Sequence, residues 1–93
     1  MNIEPDALIA QAPDCLAADM DEELVIMIAG RGKYLALDPV GRDIWSLIAE
    51  PCSLPALCDR LHKIYAGDRA VIEADVAALI VQLQEAGAVE IRR

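Results

Sequence analysis

The hydrophobic pattern of the first half of the chain is typical of short β-strands. Leu24–Ile28 is apolar, largely β-branched and too short for a helix, which favours a buried strand. Gly30-Arg31-Gly32 then predicts a hairpin turn, because glycine tolerates positive φ, and Lys33–Leu37 is the returning strand. Leu8–Gln11 and Cys15–Ala18 are each candidates for a further short strand. The pattern predicts an antiparallel β-meander of two or three strands.

The second half of the chain shows the spacing of amphipathic helices. Asp38-Pro39 predicts a helix start, because aspartate caps free N–H groups and proline fits the first turn. Ser53 and Asp68 are the corresponding caps of a second and a third helix. The apolar stripes of the three helices are Val40, Ile44, Leu47 and Ile48, then Leu54, Leu57, Cys58, Leu61, Ile64 and Tyr65, then Ile72, Val76, Leu79, Ile80 and Leu83.

The ends of these helices also have sequence signals. Pro51 is predicted to end the first helix, and Gly67 and Gly87 are predicted to close the second and third in left-handed conformations. Val89-Glu90-Ile91 favours a short final strand. Strands followed by three helices and a small strand predict an α+β fold of the winged helix-turn-helix type. The length predicts one domain over residues 1–93.

Charge narrows the class of partner. The chain has 16 Asp and Glu against 8 Lys and Arg, a net charge of −8. Such a domain repels phosphate backbones, so no nucleic-acid partner is expected, and a basic or amphipathic peptide fits better. The apolar runs are short and interrupted by charge, and the first residues are acidic where a signal peptide is basic. We therefore expect a cytoplasmic protein with no membrane partner.

Candidate catalytic chemistry is sparse. His62, the single histidine, lies off the apolar stripe of the second helix and is interpreted as a solvated surface residue. Glu73 and Asp75 are two residues apart and so point to different sides of a helix. The three cysteines, an odd number without CxxC spacing, favour neither a disulfide framework nor zinc. We expect no enzyme activity, no cofactor and no metal.

A family resemblance rests on three groups of residues. The first is similar to the "GKYYxLNxxGxxIW" signature of the PQQ-biosynthesis D-type proteins and reads Gly32-Lys33-Tyr34-Leu35-Ala36-Leu37-Asp38-Pro39-Val40-Gly41-Arg42-Asp43-Ile44-Trp45. The other two resemble helical patterns of the same family and comprise Leu57, Leu61 and Tyr65, then Ile72, Asp75, Val76, Leu79, Leu83 and Gly87. The resemblance covers roughly residues 15–91. Asp38 replaces an asparagine that is frequent in the family, and both residues cap helices.

The resemblance implies a recognition element for RiPPs, the ribosomally synthesised and post-translationally modified peptides. Such winged-helix proteins have no catalysis of their own and bind the leader region of a precursor peptide. A free-standing domain looks most like the B1 component of lasso-peptide clusters. That component delivers the leader to a B2-type leader peptidase, before an ATP-dependent macrolactam synthetase closes the ring. The resemblance also implies that a Tyr-x-x-Pro element of the leader docks in the cleft of the B1 component. Two alternatives stay open: a PQQ-pathway peptide chaperone for a radical-SAM enzyme, and an acidic winged-helix transcription regulator.

A peptide-binding groove is predicted between the Lys33–Leu37 strand and the third helix. If this strand ends the sheet, an extended leader can add to its free edge. Tyr34 and Ala36 share one face of the strand and Leu35 and Leu37 the other, and the sequence leaves open which face is core. Ile44 and Trp45 are expected in the core. The predicted peptide-binding residues are Lys33, Tyr34, Leu35, Ala36, Leu37, Val71, Asp75, Ala78, Leu79 and Gln82.

Two of these residues have a more specific prediction. Ala78 leaves space for a bulky leader side chain on the wall formed by the third helix. Asp75 is a charge flanked by apolar positions, which suits pairing with a cation or a hydrogen-bond donor of the leader. A plain solvated carboxylate is the alternative for Asp75, and packed core is the alternative for Tyr34.

Overall fold

The computed structural model describes residues 3–92 and contains five strands, three α-helices and one short 3-10 helix (Ala29–Arg31) in that range. The strands are β1 (Leu8–Gln11), β2 (Cys15–Met20), β3 (Glu23–Ile28), β4 (Lys33–Leu37) and β5 (Val89–Arg92). The helices are α1 (Pro39–Leu47), α2 (Leu54–Ile64) and α3 (Arg69–Ala86). This order confirms the predicted α+β architecture. Residues 1, 2 and 93 of the predicted domain lie outside the described residues.

The strands form two separate antiparallel sheets. β2, β3 and β4 make the predicted meander in that order. Both early strand candidates form strands, but only the second, within β2, belongs to the meander. β1, however, pairs with β5 instead of joining the meander, with Ile9 opposite Ile91. The Ile9 amide also donates to the Cys52 carbonyl at 2.7 Å, which joins this small sheet to the α1–α2 connection. The termini of the described chain are therefore fixed side by side.

The core lies between the three-stranded sheet and the helices. Leu24, Ile26 and Ile28 alternate inward along β3, as a strand with one buried face requires. On β4, Leu37 is buried and Leu35 half-buried, whereas Tyr34 and Ala36 face outward. Leu35 and Leu37 therefore form the core face of β4, a choice that the sequence left open. The other fully buried large side chains are Ile9, Ile44, Ile48, Leu57, Leu61, Ile80 and Leu83.

The helix starts follow the predicted caps. The carboxylate of Asp38 accepts from the Gly41 amide at 2.8 Å, and Ser53 and Asp68 make the equivalent bonds at α2 and α3. Gly87 closes α3 with a φ of 90°, as predicted. The prediction for Gly67 is wrong: α2 ends earlier, at an extended Tyr65 whose amide still bonds to the Leu61 carbonyl. No helix within residues 3–92 is long and apolar enough to cross a membrane.

Candidate functional site

β4 has one unpaired edge. It pairs with β3 on one side, and no strand among residues 3–92 pairs with the other. In an antiparallel ladder, alternate residues of such an edge direct their backbone N–H and C=O groups away from the sheet. Lys33–Leu37 contains no proline, which would remove a donor from this row. The edge can therefore accept an added strand.

β4 and α3 flank the same strip of surface. At the start of β4, the Arg31 guanidinium donates to the Glu85 carbonyl in the last turn of α3, at 3.1 Å. A cation at this position also complements the negative end of the helix dipole. At the end of β4, Asp38 borders a cavity whose far wall is the middle of α3. The free edge of β4 therefore lies between this contact and the cavity, and we call the edge and the cavity together the groove.

The cavity has a volume of about 440 Å³ and lies where α1, α2 and α3 meet. The first turn of α1 forms one wall and the last turn of α2 forms the floor. Positions of α3 three or four apart form the second wall, because that spacing places them on one helix face. The lining is mainly apolar and consists of Asp38, Val40, Gly41, Ile44, Leu61, Tyr65, Ile72, Asp75, Val76 and Leu79.

The polar groups of the cavity are acidic or neutral. The Tyr65 hydroxyl donates a short hydrogen bond to the Asp43 carboxylate, which joins the end of α2 to α1. This bond raises the pKa of Tyr65, because it holds the proton on the phenol. The Asp75 carboxylate makes no hydrogen bond or ion pair within residues 3–92. No basic side chain of the described chain lines the cavity, so its mouth attracts a cation or a donor.

The predicted site residues are distributed unevenly around this cavity. Asp75 and Leu79 line it, as the groove prediction requires. Val71, Ala78 and Gln82 are exposed on α3 but lie outside the lining. The β4 residues Lys33, Tyr34, Leu35, Ala36 and Leu37 lie along the free edge that leads to the cavity and do not line it. Their part in peptide binding stays a prediction.

Several lining residues were not predicted. Ile44 is buried, as expected, yet it also contributes to the cavity surface. Val40 precedes Ile44 by one helical turn on the apolar stripe of α1. The sequence signal for Val40 is therefore its place at the exposed end of this stripe. Leu61 and Tyr65 are likewise one helical turn apart, at the end of α2. Nothing in the sequence shows that the ends of these two stripes meet the middle of α3.

Chemistry outside the groove is limited. His62 is exposed on α2, as predicted. Burial raises the pKa of the three free thiols, which keeps them protonated and weakly nucleophilic near neutral pH. Between residues 3 and 92, no three His, Cys, Asp or Glu side chains are grouped so as to hold a metal ion.

Comparison with known families identifies the fold. The model for coenzyme PQQ synthesis protein D (PqqD) matches residues 23–89. The chain belongs to the PqqD family. The resemblance of the Gly32–Trp45 run is thereby confirmed. The PqqD match contains β3, β4 and the three helices, and therefore the free edge and the whole cavity.

Two solved structures resemble this PqqD-family chain closely. TbiB1 in complex with the TbiA(beta) leader peptide has a TM-score of 0.80 and 28% identity, covering 87% of this chain and 94% of TbiB1. A lasso peptide synthetase B1 complexed with the leader peptide has a TM-score of 0.77 and 24% identity, covering 88% and 96% respectively. The second likeness shows the fold alone. No curated protein matches the chain in sequence.

Proposed function

We propose that this PqqD-family protein is a non-catalytic binding protein for the leader region of a ribosomally synthesised precursor peptide of the lasso type. The observation that carries the proposal is the unpaired edge of β4 leading into an apolar cavity with an unpartnered Asp75 on its wall. The likeness to TbiB1, a protein solved with a leader peptide, supports it.

Binding follows from the geometry of the groove. An extended leader adds as a fourth strand beside β4, and its backbone supplies hydrogen bonds that do not depend on sequence. Selection comes from side chains, because a bulky apolar residue of the leader fills the cavity and displaces water from Val40, Ile72 and Leu79. Asp75 then accepts a hydrogen bond from a donor or cation of the leader.

In this proposal the groove is a binding site, since no side chain that lines its cavity within residues 3–92 is a nucleophile beside a base. Its polar side chains are carboxylates and a phenol that already donates to Asp43. The chemical steps then belong to partner enzymes, to which the bound leader is delivered. We assign these roles to a B2-type leader peptidase and to an ATP-dependent macrolactam synthetase, working in the same cytoplasmic compartment.

The test is a fluorescence anisotropy titration of a labelled leader peptide, taken from the precursor gene beside this one. Asp75→Arg is expected to weaken binding about tenfold or more, because it places a like charge where the leader presents a donor. Glu73→Arg is the matched control, since Glu73 is exposed on the same helix outside the cavity lining. Its affinity should stay within about twofold.

Variants of the leader complete this test. Replacing either the Tyr or the Pro of the leader's Tyr-x-x-Pro element by alanine should weaken binding, because each substitution removes apolar surface that would fill the cavity. Failure of the wild-type protein to bind at tens of micromolar would overturn the proposal. Equal affinities of Asp75→Arg and Glu73→Arg would remove Asp75 from the site.

A second candidate function is peptide chaperoning in PQQ synthesis for a radical-SAM enzyme. The match of residues 23–89 to the PqqD model favours it. A competition titration against the labelled lasso leader separates the two. Half displacement at a lower concentration of unlabelled PQQ precursor peptide than of unlabelled lasso leader favours the PQQ function.

A further inference from the structure

The three-stranded sheet has an apolar face that residues 3–92 leave uncovered. Leu16, Met27 and Tyr34 are aligned opposite one another on β2, β3 and β4, and form one row across the sheet. Their exposed fractions are 68%, 43% and 70%. A sheet with one solvated face normally alternates apolar with polar residues. Here the solvated positions are apolar as well.

A second row repeats the pattern. Ala18, Val25 and Ala36 are likewise aligned across the three strands on the same side. Met20, 59% exposed, extends the face at the end of β2 opposite Glu23. We call this surface the outer face; it consists of these two rows and Met20, with Glu23 at its border.

The outer face shares Tyr34 and Ala36 with the β4 edge, but the rest of it is separate from the leader groove. Residues of β3 and β4 that point toward the helices form the core, so the outer face lies on the opposite side of the sheet from the cavity. A strand added at the edge of β4 extends the sheet sideways and leaves Leu16 and Met20, two strands away, uncovered. One molecule can therefore hold a leader and a second partner at once.

Charge at the border of the outer face selects its occupant. Asp21, Glu22 and Glu23 are exposed at the β2–β3 turn, at one end of the face, and the chain carries a net charge of −8. A second copy of the chain and an anionic lipid surface are both repelled by this charge. A protein surface with an apolar centre and basic side chains at its border is complementary to it.

The size of the outer face also argues against a permanent dimer. Three strands about 4.8 Å apart and some six residues long cover on the order of 300 Å². A stable interface buries about 800 Å² on each partner. The face therefore suits the apolar centre of a transient contact with a different protein.

We propose that the outer face docks the enzyme that processes the bound leader, through an apolar and basic-bordered surface of that enzyme. This inference rests on the proposed function, since it names the leader peptidase as occupant. Docking at the outer face holds the peptidase beside the leader without competing for the groove.

Calorimetric titration of the purified leader peptidase into the protein–leader complex tests the docking surface. Leu16→Lys is expected to weaken peptidase binding about tenfold or more, because it places a cation in the apolar centre facing a basic border. Leu16→Ser, which only removes apolar area, should weaken it less. Ile64→Lys is the control, since Ile64 is 56% exposed on α2, away from the sheet. Added salt should weaken wild-type docking.

Leader affinity of each variant, from anisotropy, separates the failure of this inference from failure of the proposed function. Unchanged leader affinity together with lost peptidase affinity in Leu16→Lys supports the docking surface, and it also shows that the variant is folded. Peptidase binding that Leu16→Lys and Leu16→Ser leave intact overturns it, even if leader binding is confirmed. The inference is also overturned if sedimentation equilibrium shows that the wild-type protein is a dimer and that Leu16→Lys dissociates this dimer.

Discussion

At the scale of single residues, the contact of Tyr65 with Asp43 has the clearest chemical signature. The hydrogen bond joins the end of α2 to α1 beside the cavity. It favours the neutral phenol, so the folded protein holds this proton more tightly than the unfolded chain does. The stability that it contributes is present below the usual phenol pKa of about 10 and is lost as the pH rises through the higher pKa of the folded state.

The first prediction concerns this bond. Asp43→Asn should lower the pKa of Tyr65 toward about 10, because the amide no longer holds the phenol proton with a charge. The pKa is read from phenolate absorbance in a Tyr34→Phe background, where Tyr65 is the single tyrosine. Asp59→Asn, which removes a carboxylate paired with Arg69 elsewhere, should leave the titration unchanged. The same pKa in all three proteins would contradict the bond.

At the scale of elements, α1 packs unusually close to the end of β4. A Cβ atom on Gly41 would lie 3.0 Å from the Cβ of Leu37 and 3.3 Å from the carboxylate of its own N-cap, Asp38. Glycine inside a helix normally costs stability relative to alanine. Here its lack of a side chain lets α1 turn back directly over the strand.

The second prediction follows from this approach. Gly41→Ala should lower the free energy of unfolding by about 1–2 kcal/mol, because the crowding of a backbone-proximal atom outweighs the gain in helix propensity. Gly30→Ala is the matched control, since its new Cβ would meet nothing closer than 3.9 Å. Urea unfolding measures both. A Gly41→Ala protein more stable than wild type would show that α1 can shift away from Leu37.

The same elements show what sequence can and cannot reveal. The caps at Asp38, Ser53 and Asp68 act locally, so their chemistry predicted the three helix starts correctly. The inward face of β4 was undecided because all four residues of Tyr34–Leu37 are apolar and periodicity carries no contrast. The cavity was only partly predicted for a different reason: spacing along α3 defines its faces, but the position of α1 and α2 against them depends on tertiary packing.

At the scale of the whole molecule, acidic charge opposes folding. Among residues 3–92, the ion pairs Arg42–Asp19, Arg69–Asp59 and Arg92–Glu90 each involve an exposed carboxylate. Exposed pairs of this kind contribute up to about 1 kcal/mol each. The chain has 16 acidic against 8 basic residues, so acidic side chains outnumber the cations that could pair with them. Repulsion among these carboxylates is therefore the larger long-range effect.

The third prediction is that salt stabilises the protein. Raising NaCl from about 0.1 to 1 M shortens the screening length from about 10 to 3 Å, which weakens the repulsion, and the urea midpoint should rise. Glu22→Lys changes the net charge from −8 to −6, since a negative charge becomes positive. It should be more stable than wild type at low salt and gain less from added salt. A falling midpoint in both proteins would mean that the ion pairs dominate.

The contact between Arg31 and the end of α3 bears on how peptide preference can diverge among related proteins. Gly87 makes room for it, because a Cβ there would lie 2.8 Å from the Arg31 Nε atom. Arg31 and Gly87 lie outside the cavity, yet their contact holds β4 and α3 at a given separation. Under the proposed leader binding, two proteins with the same cavity lining but different residues at these positions would accept leader segments of different width. Selectivity can thus evolve without any change in the residues that the peptide touches.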